Sequence, residues 1–292
     1  MTIYNLGSIN ADHVYSVPHL PGPGETLAAD SLNIGLGGKG TNQSVAAARA
    51  GSHVVHIGAV GADGAWARER IAGYGVNVDH VATVQGPTGH AIINVDAGGE
   101  NAIVLLKGAN FAFDPALVEA ALAHAGVGDV LLLQNETAHQ AEAARIARSK
   151  GVRVVYSAAP FSVEAVKAVL PHVDLLAMNE IEAAQLSEAL GTTPEALEVP
   201  ETLITQGAKG AVWRAASGER HVVASFSVTP KDTTAAGDTF AGYFAAACEQ
   251  GLAVPEAMRL AAGAAALKVT RAGAADAIPT RAEVEAFIAA QE

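Results

Sequence analysis

Short β-rich runs of three to five residues, dominated by Val, Ile and Leu, recur at 3–6, 54–57, 130–133, 152–156, 175–177 and 203–205. Between several of them lie alanine-rich stretches with helical spacing of apolar positions, at 43–50, 65–74, 138–149 and 163–169. Strands that are apolar throughout must be covered on both faces. Their alternation with helices predicts βαβ units around a parallel sheet, an α/β fold with a helical layer on each side. Beyond 236 the pattern changes: 237–250, 255–269 and 281–290 predict three consecutive helices, with the sheet largely complete before them. Two segments break the rhythm. One, about 14–32, holds the turn PGPGET between short alternating strands; the other, 89–106, places HAIINVD and NAIVLL around AGGE like a hairpin. They predict a small antiparallel sheet projecting from the body, although an edge extension of the central sheet fits the pattern equally. The chain reads as a single domain, 1–292, with these two segments inserted.

Composition narrows the function classes. Half of the 292 residues are apolar and 16% are charged, enough for a large core and incompatible with disorder. The net charge of −12, without any Lys/Arg block, speaks against nucleic acid and anionic membrane surfaces as partners. The start MTIYNLGSIN lacks a signal peptide's basic and apolar regions, and no apolar run reaches the length of a membrane span. Cys248 is the single cysteine, and no Cys/His cluster has zinc spacing. A cytoplasmic location is expected.

Two stretches carry candidate chemistry. GLGGKGTNQ (35–43) runs into a helix, where glycines admit close approach and unpaired amides favour polar ligands. A phosphate-binding P-loop needs Ser or Thr directly after Gly-Lys, but Gly40 separates Lys39 from Thr41. A dinucleotide site needs the first βα turn and an acidic residue ending the next strand, which ends instead in Ala59-Val60. A pocket for a hydroxylated ligand, with Lys39 and Asn42 as donors, fits better. DTTAAGDTFAGYF (232–244) sets the small residues Ala235, Ala236 and Gly237 before an apolar helix, so that successive amides can surround an anion. Asp238 beside them reads either as a helix-dipole partner or as a base activating a hydroxyl next to a phosphoryl group. Asn179 and Glu182 share a helix face and read as a capping box or as holders of a hydrated Mg²⁺. TQGAKG (205–210) reads as a hairpin turn or as a cover for a nucleotide.

Together with GSINADH (7–13), GAVGADG, GAN (108–110) and VTRAGA (269–274), these stretches resemble the ribokinase, or PfkB, family of carbohydrate kinases along the whole chain. The resemblance implies a three-layer α/β/α body with a small β lid that pairs two subunits into a homodimer. It implies transfer of the ATP γ-phosphoryl group to a primary sugar hydroxyl, with the ribose-phosphorylating members nearest. A fructokinase, a nucleoside kinase or a silent sugar-binding module on the same fold are the alternatives. By the same resemblance, Asn10, Ala11, Asp12, Gly38, Lys39, Gly40, Thr41, Asn42 and Glu136 contact the sugar. Asp238 is the base, and the Ala235, Ala236 and Gly237 amides form the anion hole. Asn179, Thr205, Gln206, Gly207, Ala208, Lys209, Gly210 and Gly237 bind the nucleotide; Asn179 and Glu182 hold Mg²⁺ through water. An activating K⁺ is expected between Asp232 and Thr234 on one loop and Lys268, Arg271, Gly273 and Ala277 on another, mostly through carbonyls. Thr41, Ala262 and Ala277 depart from the family's usual residues at the sugar loop, the adenine and the cation.

Overall fold

The computed structural model describes residues 1–291, in which the strands form two sheets. In chain order they are β1 (Thr2–Leu6), β2 (Asn10–Ser16), β3 (Ser31–Gly37), β4 (His53–Val60), β5 (Asn77–Thr83), β6 (Gly89–Val95) and β7 (Asn101–Leu106). There follow β8 (Val130–Gln134), β9 (Arg153–Ser157), β10 (Leu175–Asn179), β11 (Glu201–Thr205), β12 (Ala211–Ala215) and β13 (Arg220–Val223). The large sheet has nine strands in the order β13-β12-β11-β10-β9-β8-β1-β4-β5. Neighbours are parallel from β11 to β5, and β12 and β13 extend one edge antiparallel.

Successive side chains of a strand point to opposite faces. On β1, Ile3 joins the core under the helices Lys39–Arg49, Ala236–Glu249 and Val254–Val269. Tyr4 and Leu6 join the core under Gln140–Ser149, Val163–Val169 and Glu180–Leu190. The apolar runs therefore mark the doubly covered strands. The edge strands β5 and β13 escape that signal, because NVDHVAT and RHVV mix exposed polar positions with apolar ones. The last three helices lie within one residue of expectation.

The small sheet, in the order β3-β2-β6-β7, pairs only within itself, so the inserted segments are not an edge extension of the large sheet. The first insertion reaches further than 14–32. β2 begins at Asn10 and β3 runs to Gly37, pairing Asn10 with Gly37 and Asp12 with Gly35. Glycines that read as loop are therefore strand, because a Cβ on Gly37 would lie 2.0 Å from the Asp12 carboxylate. The following helix starts at Lys39, four residues ahead of expectation. Gly38 turns into it with φ 97°, and the Thr41 amide and hydroxyl both donate to the Ser8 carbonyl at 2.9 Å. Its first turn is polar yet buried, which hides it from a reading of amphipathic spacing.

Candidate active site

Asp238 occupies the first turn of the helix Ala236–Glu249. One turn on, Gly242 faces the helix Lys39–Arg49, where a Cβ would come within 2.6 Å of Ala46 Cβ and the Gln43 carbonyl. This close approach brings two amides to the carboxylate. Asn42 Nδ2 donates to Asp238 Oδ2 at 3.0 Å, and Gln43 Nε2 donates to Oδ1 at 3.1 Å.

Gln43 is itself anchored in a buried polar chain. Gln134 Nε2 donates to Gln43 Oε1 (2.8 Å) and to Asn5 Oδ1 (2.9 Å). Asn5 Nδ2 donates to Ser44 Oγ (2.8 Å) and to the Gly40 carbonyl (2.7 Å). Ser44 Oγ lies 2.8 Å from His56 Nδ1, and His56 Nε2 lies 3.0 Å from the Gly7 carbonyl. A carbonyl only accepts, so Nε2 carries the proton and Nδ1 accepts from Ser44. Burial holds the His56 pKa down to about 4, which keeps this tautomer neutral at pH 7. Asn5, Gln43, Ser44, His56 and Gln134 were not singled out from sequence. Their signal is polarity inside apolar strands, as in IYNL and VLLLQ.

At the N-cap of the same helix, Ala235 adopts φ 59° and ψ 12°. A left-handed conformation at a residue with a Cβ costs about 1–3 kcal/mol and persists where surrounding contacts enforce it. The Ala236 amide turns back to the Thr233 carbonyl at 3.2 Å, so that donor is shared, whereas Gly237 and Asp238 are first-turn amides without helical partners.

Lys39 stands among acids. The Asp238 charge raises its pKa against the effect of burial, and Glu136 and Glu182 add to the rise. Glu136 Oε2 accepts from the Ser8 hydroxyl and from the Lys39 amide at 3.0 Å, so it fastens the glycine turn. Asp12 lies on β2 opposite the glycines; burial first, then Glu136, pushes its pKa up to about 6. Asn10, two residues earlier on the same face, accepts from Asn110 Nδ2 at 2.8 Å, and Asn110 Oδ1 accepts from the Ile9 amide at 2.9 Å. GAN thus contributes a positioning asparagine that was noted as a motif without a role. Ala11 alternates to the opposite face of the small sheet, leaving only its backbone on the Asp12 side.

Asn179 and Glu182 form a reciprocal capping box, each backbone amide donating 2.8 Å to the other's side chain. Glu182 nevertheless lines the same cavity as Lys39, Gln43, Gly237 and Asp238. TQGAKG connects the antiparallel strands β11 and β12. Thr205, Gly207, Gly210 and Ala262 line an adjoining cavity, and the two cavities share Thr205, Ala236, Gly237 and Phe240. Residues of the helix that follows the 35–38 glycines and of the 205–210 turn thereby meet in the cavity that Asp238 lines.

The expected K⁺ position is crowded by a side chain. Lys268 is wholly buried, and its Nζ donates to the Asp232 carbonyl at 3.0 Å. The Asp232 carboxylate already accepts from the Thr234 amide (2.9 Å) and the Gly273 amide (2.8 Å). The Lys268 carbonyl accepts from the Arg271 amide, and the Arg271 side chain pairs with Glu283. Two unit charges about 4 Å apart repel by roughly 4 kcal/mol at an effective dielectric of 20. These residues therefore do not fit a second, free cation.

A carboxylate fixed beside free helix-start amides, with a polar cavity on one side and a glycine-lined cavity on the other, is an arrangement suited to phosphoryl transfer. The chain belongs to the pfkB family of carbohydrate kinases, whose family model matches residues 2–281. It is 39% identical to the ribokinase of Haemophilus influenzae, with 98% of each chain covered, and 36% identical to that of Bacillus subtilis, covering 97% and 98%. Among solved structures it is similar to the ribokinase of Thermotoga maritima (TM-score 0.87, 33% identity, 99% of each chain). It is also similar to the Arabidopsis thaliana ribokinase complexed with ribose and ATP (TM-score 0.85, 29% identity, 98% of each chain). The likeness spans nearly the whole chain, as the expected three-layer fold requires, but the small sheet is mixed rather than antiparallel as expected, because β2 and β6 run parallel.

Proposed function

We propose that this protein transfers the γ-phosphoryl group of ATP to the primary hydroxyl of D-ribose, giving ribose 5-phosphate and ADP. The observation that carries the chemistry is Asp238, held by Asn42 and Gln43 beside the amides that open its own helix. Ribose as the acceptor is supported by the ribokinases at 36–39% identity.

Asp238 accepts the proton of the attacking hydroxyl. Two neutral amide donors hold its carboxylate aimed until then. The Gly237 amide and its neighbours face the charge that develops on the moving phosphoryl group. The side-chain oxygen of Asn42 is buried without a protein partner, so it is available to a sugar hydroxyl. Asp12 accepts two further hydroxyls, and Lys39 and Asn10 supply polar contacts around them. Mg²⁺ neutralises nucleotide phosphates when bound, and Glu182 fits as its water-mediated holder. One Glu182 oxygen is committed to the cap, while burial and Asp238 raise its pKa, an excess of negative charge that a divalent cation relieves. Asn179 and the 205–210 turn border the nucleotide, whose base lies toward Ala262.

Because Asp12 binds sugar as a carboxylate, kcat/KM for the sugar is expected to be level above pH about 6 and to fall tenfold per unit below it. Measured for ATP at saturating sugar, kcat/KM lacks that inflection, since bound sugar holds Asp12 ionised.

The lid supports a homodimer. Ile34, Ile92 and Val104 lie in one cross-strand row with His13, on the face away from Asp12, and are 46%, 40% and 67% exposed. Such an apolar patch is the kind a second copy covers. No helix among the described residues is long and apolar enough to cross a membrane, and a half-buried, unpaired Cys248 suits a reducing cytoplasm. ADP release measured with ribose, fructose, other pentoses and nucleosides tests the function: ribose should give the highest kcat/KM, and a preference for a nucleoside or a hexose contradicts it.

A further inference from the structure

Lys268 lies in the helix Val254–Val269 with no exposed surface. Lysine is among the side chains least often fully buried, because an ammonium removed from water needs compensating partners. Here the compensation comes from the loop that leads into the anion hole. Lys268 Nζ donates to the Asp232 carbonyl (3.0 Å), and the Asp232 carboxylate opposes the lowering of the lysine's pKa by burial. The same loop is clasped to the end of the same helix, with the Lys231 and Asp232 amides donating to the Val269 carbonyl at 2.7 and 3.0 Å. The Gly273 amide closes the clasp on Asp232 Oδ2 at 2.8 Å. Three residues after Asp232 comes Ala235, in its left-handed conformation, and then the amides that face the phosphoryl group.

We infer that the Lys268 ammonium is a tethered monovalent cation: it supplies from within the chain the positive charge that pins the 232–237 loop, so that turnover needs no added K⁺. The inference rests on the kinase reading above. It follows from chemistry visible in the site: an ammonium and a potassium ion are similar in size, both bind carbonyl oxygens, and the ammonium already on the Asp232 carbonyl repels a second cation there. Lys268 is a positioning residue in this account. It touches neither sugar nor nucleotide, and it acts through the shape of the anion hole, hence on kcat more than on KM.

The test compares the wild type, Lys268→Ala and Lys268→Met at fixed ionic strength, with tetramethylammonium, Na⁺, K⁺ or NH₄⁺ as the monovalent cation. The wild type should show the same kcat in all four. Lys268→Ala should lose about tenfold or more in tetramethylammonium, toward the cost of a lost anion-hole donor, and regain it saturably with K⁺ or NH₄⁺. Lys268→Met, which fills the space without a charge, should lose as much and regain little. Thermal unfolding gives a readout independent of turnover: K⁺ should raise the Tm of Lys268→Ala and leave the wild type unchanged. Activation of the wild type by K⁺ overturns the inference, and this arm needs no folded variant. So does a folded Lys268→Ala protein that neither K⁺ nor NH₄⁺ restores. If the wild type phosphorylates no sugar, the kinase reading fails and the unfolding arm judges Lys268. A Tm gain confined to the alanine variant supports the tethered charge, and equal gains, or none, refute it.

Discussion

Asp238→Asn should lower kcat by about 10²–10⁴-fold while leaving the KM for sugar and for ATP close to wild type. In the proposed mechanism the carboxylate takes the hydroxyl proton, and its two oxygens are held by neutral donors from Asn42 and Gln43. Asparagine has the same shape but cannot take the proton. Its amide nitrogen would also face the donor of either Asn42 or Gln43, so a small loss of order around the helix start accompanies the chemical loss. The check is a pair of saturation curves with burst-free initial rates. Turnover within a few-fold of wild type would show that Asp238 only stabilises its helix.

Asp12→Ala should raise the sugar KM by about 10²–10⁴-fold, the worth of two hydrogen bonds to a charged acceptor at about 1.5–3 kcal/mol each. The ATP KM should change little. Stability should move the other way. Burial and Glu136 raise the folded-state pKa of Asp12 to about 6, above its ordinary value of 3.8. The fold therefore favours the protonated acid, and that contribution is fully present below pH about 4 and lost as pH rises through about 6. Ionised Asp12 is a burden on the folded protein at pH 8. The alanine variant should there melt no lower than wild type, and a binding loss accompanied by a large fall in Tm would mark Asp12 as structural instead.

How much was legible in the sequence follows from what each signal depends on. Buried parallel strands announce themselves by continuous apolar runs, and the C-terminal helices by spacing; both were placed closely. The 35–43 segment misled at both ends, since glycine composition reads as loop. Here Gly37 makes room for Asp12 in a strand, and Gly40 lets the buried polar turn of a helix press on Gly7. The network from His56 to Asp238 was invisible because its members are scattered between positions 5 and 238 and meet only when β1, β4 and β8 line up under one helix. Lys268 was legible as a position but not as a charge. Alignment by motif placed its backbone at a cation site, and only the folded side chain shows an ammonium on the Asp232 carbonyl.

The central claim is transfer of a phosphoryl group from ATP to the primary hydroxyl of ribose. Phosphorus NMR of a reaction containing the wild-type protein, ATP, Mg²⁺ and D-ribose tests it most directly. The account predicts one new phosphomonoester, coupled to the C5 protons and formed in equal amount with ADP, and no such signal with Asp238→Asn on the same timescale. A phosphate on C1, inorganic phosphate in place of a sugar ester, or unconsumed ATP would contradict it.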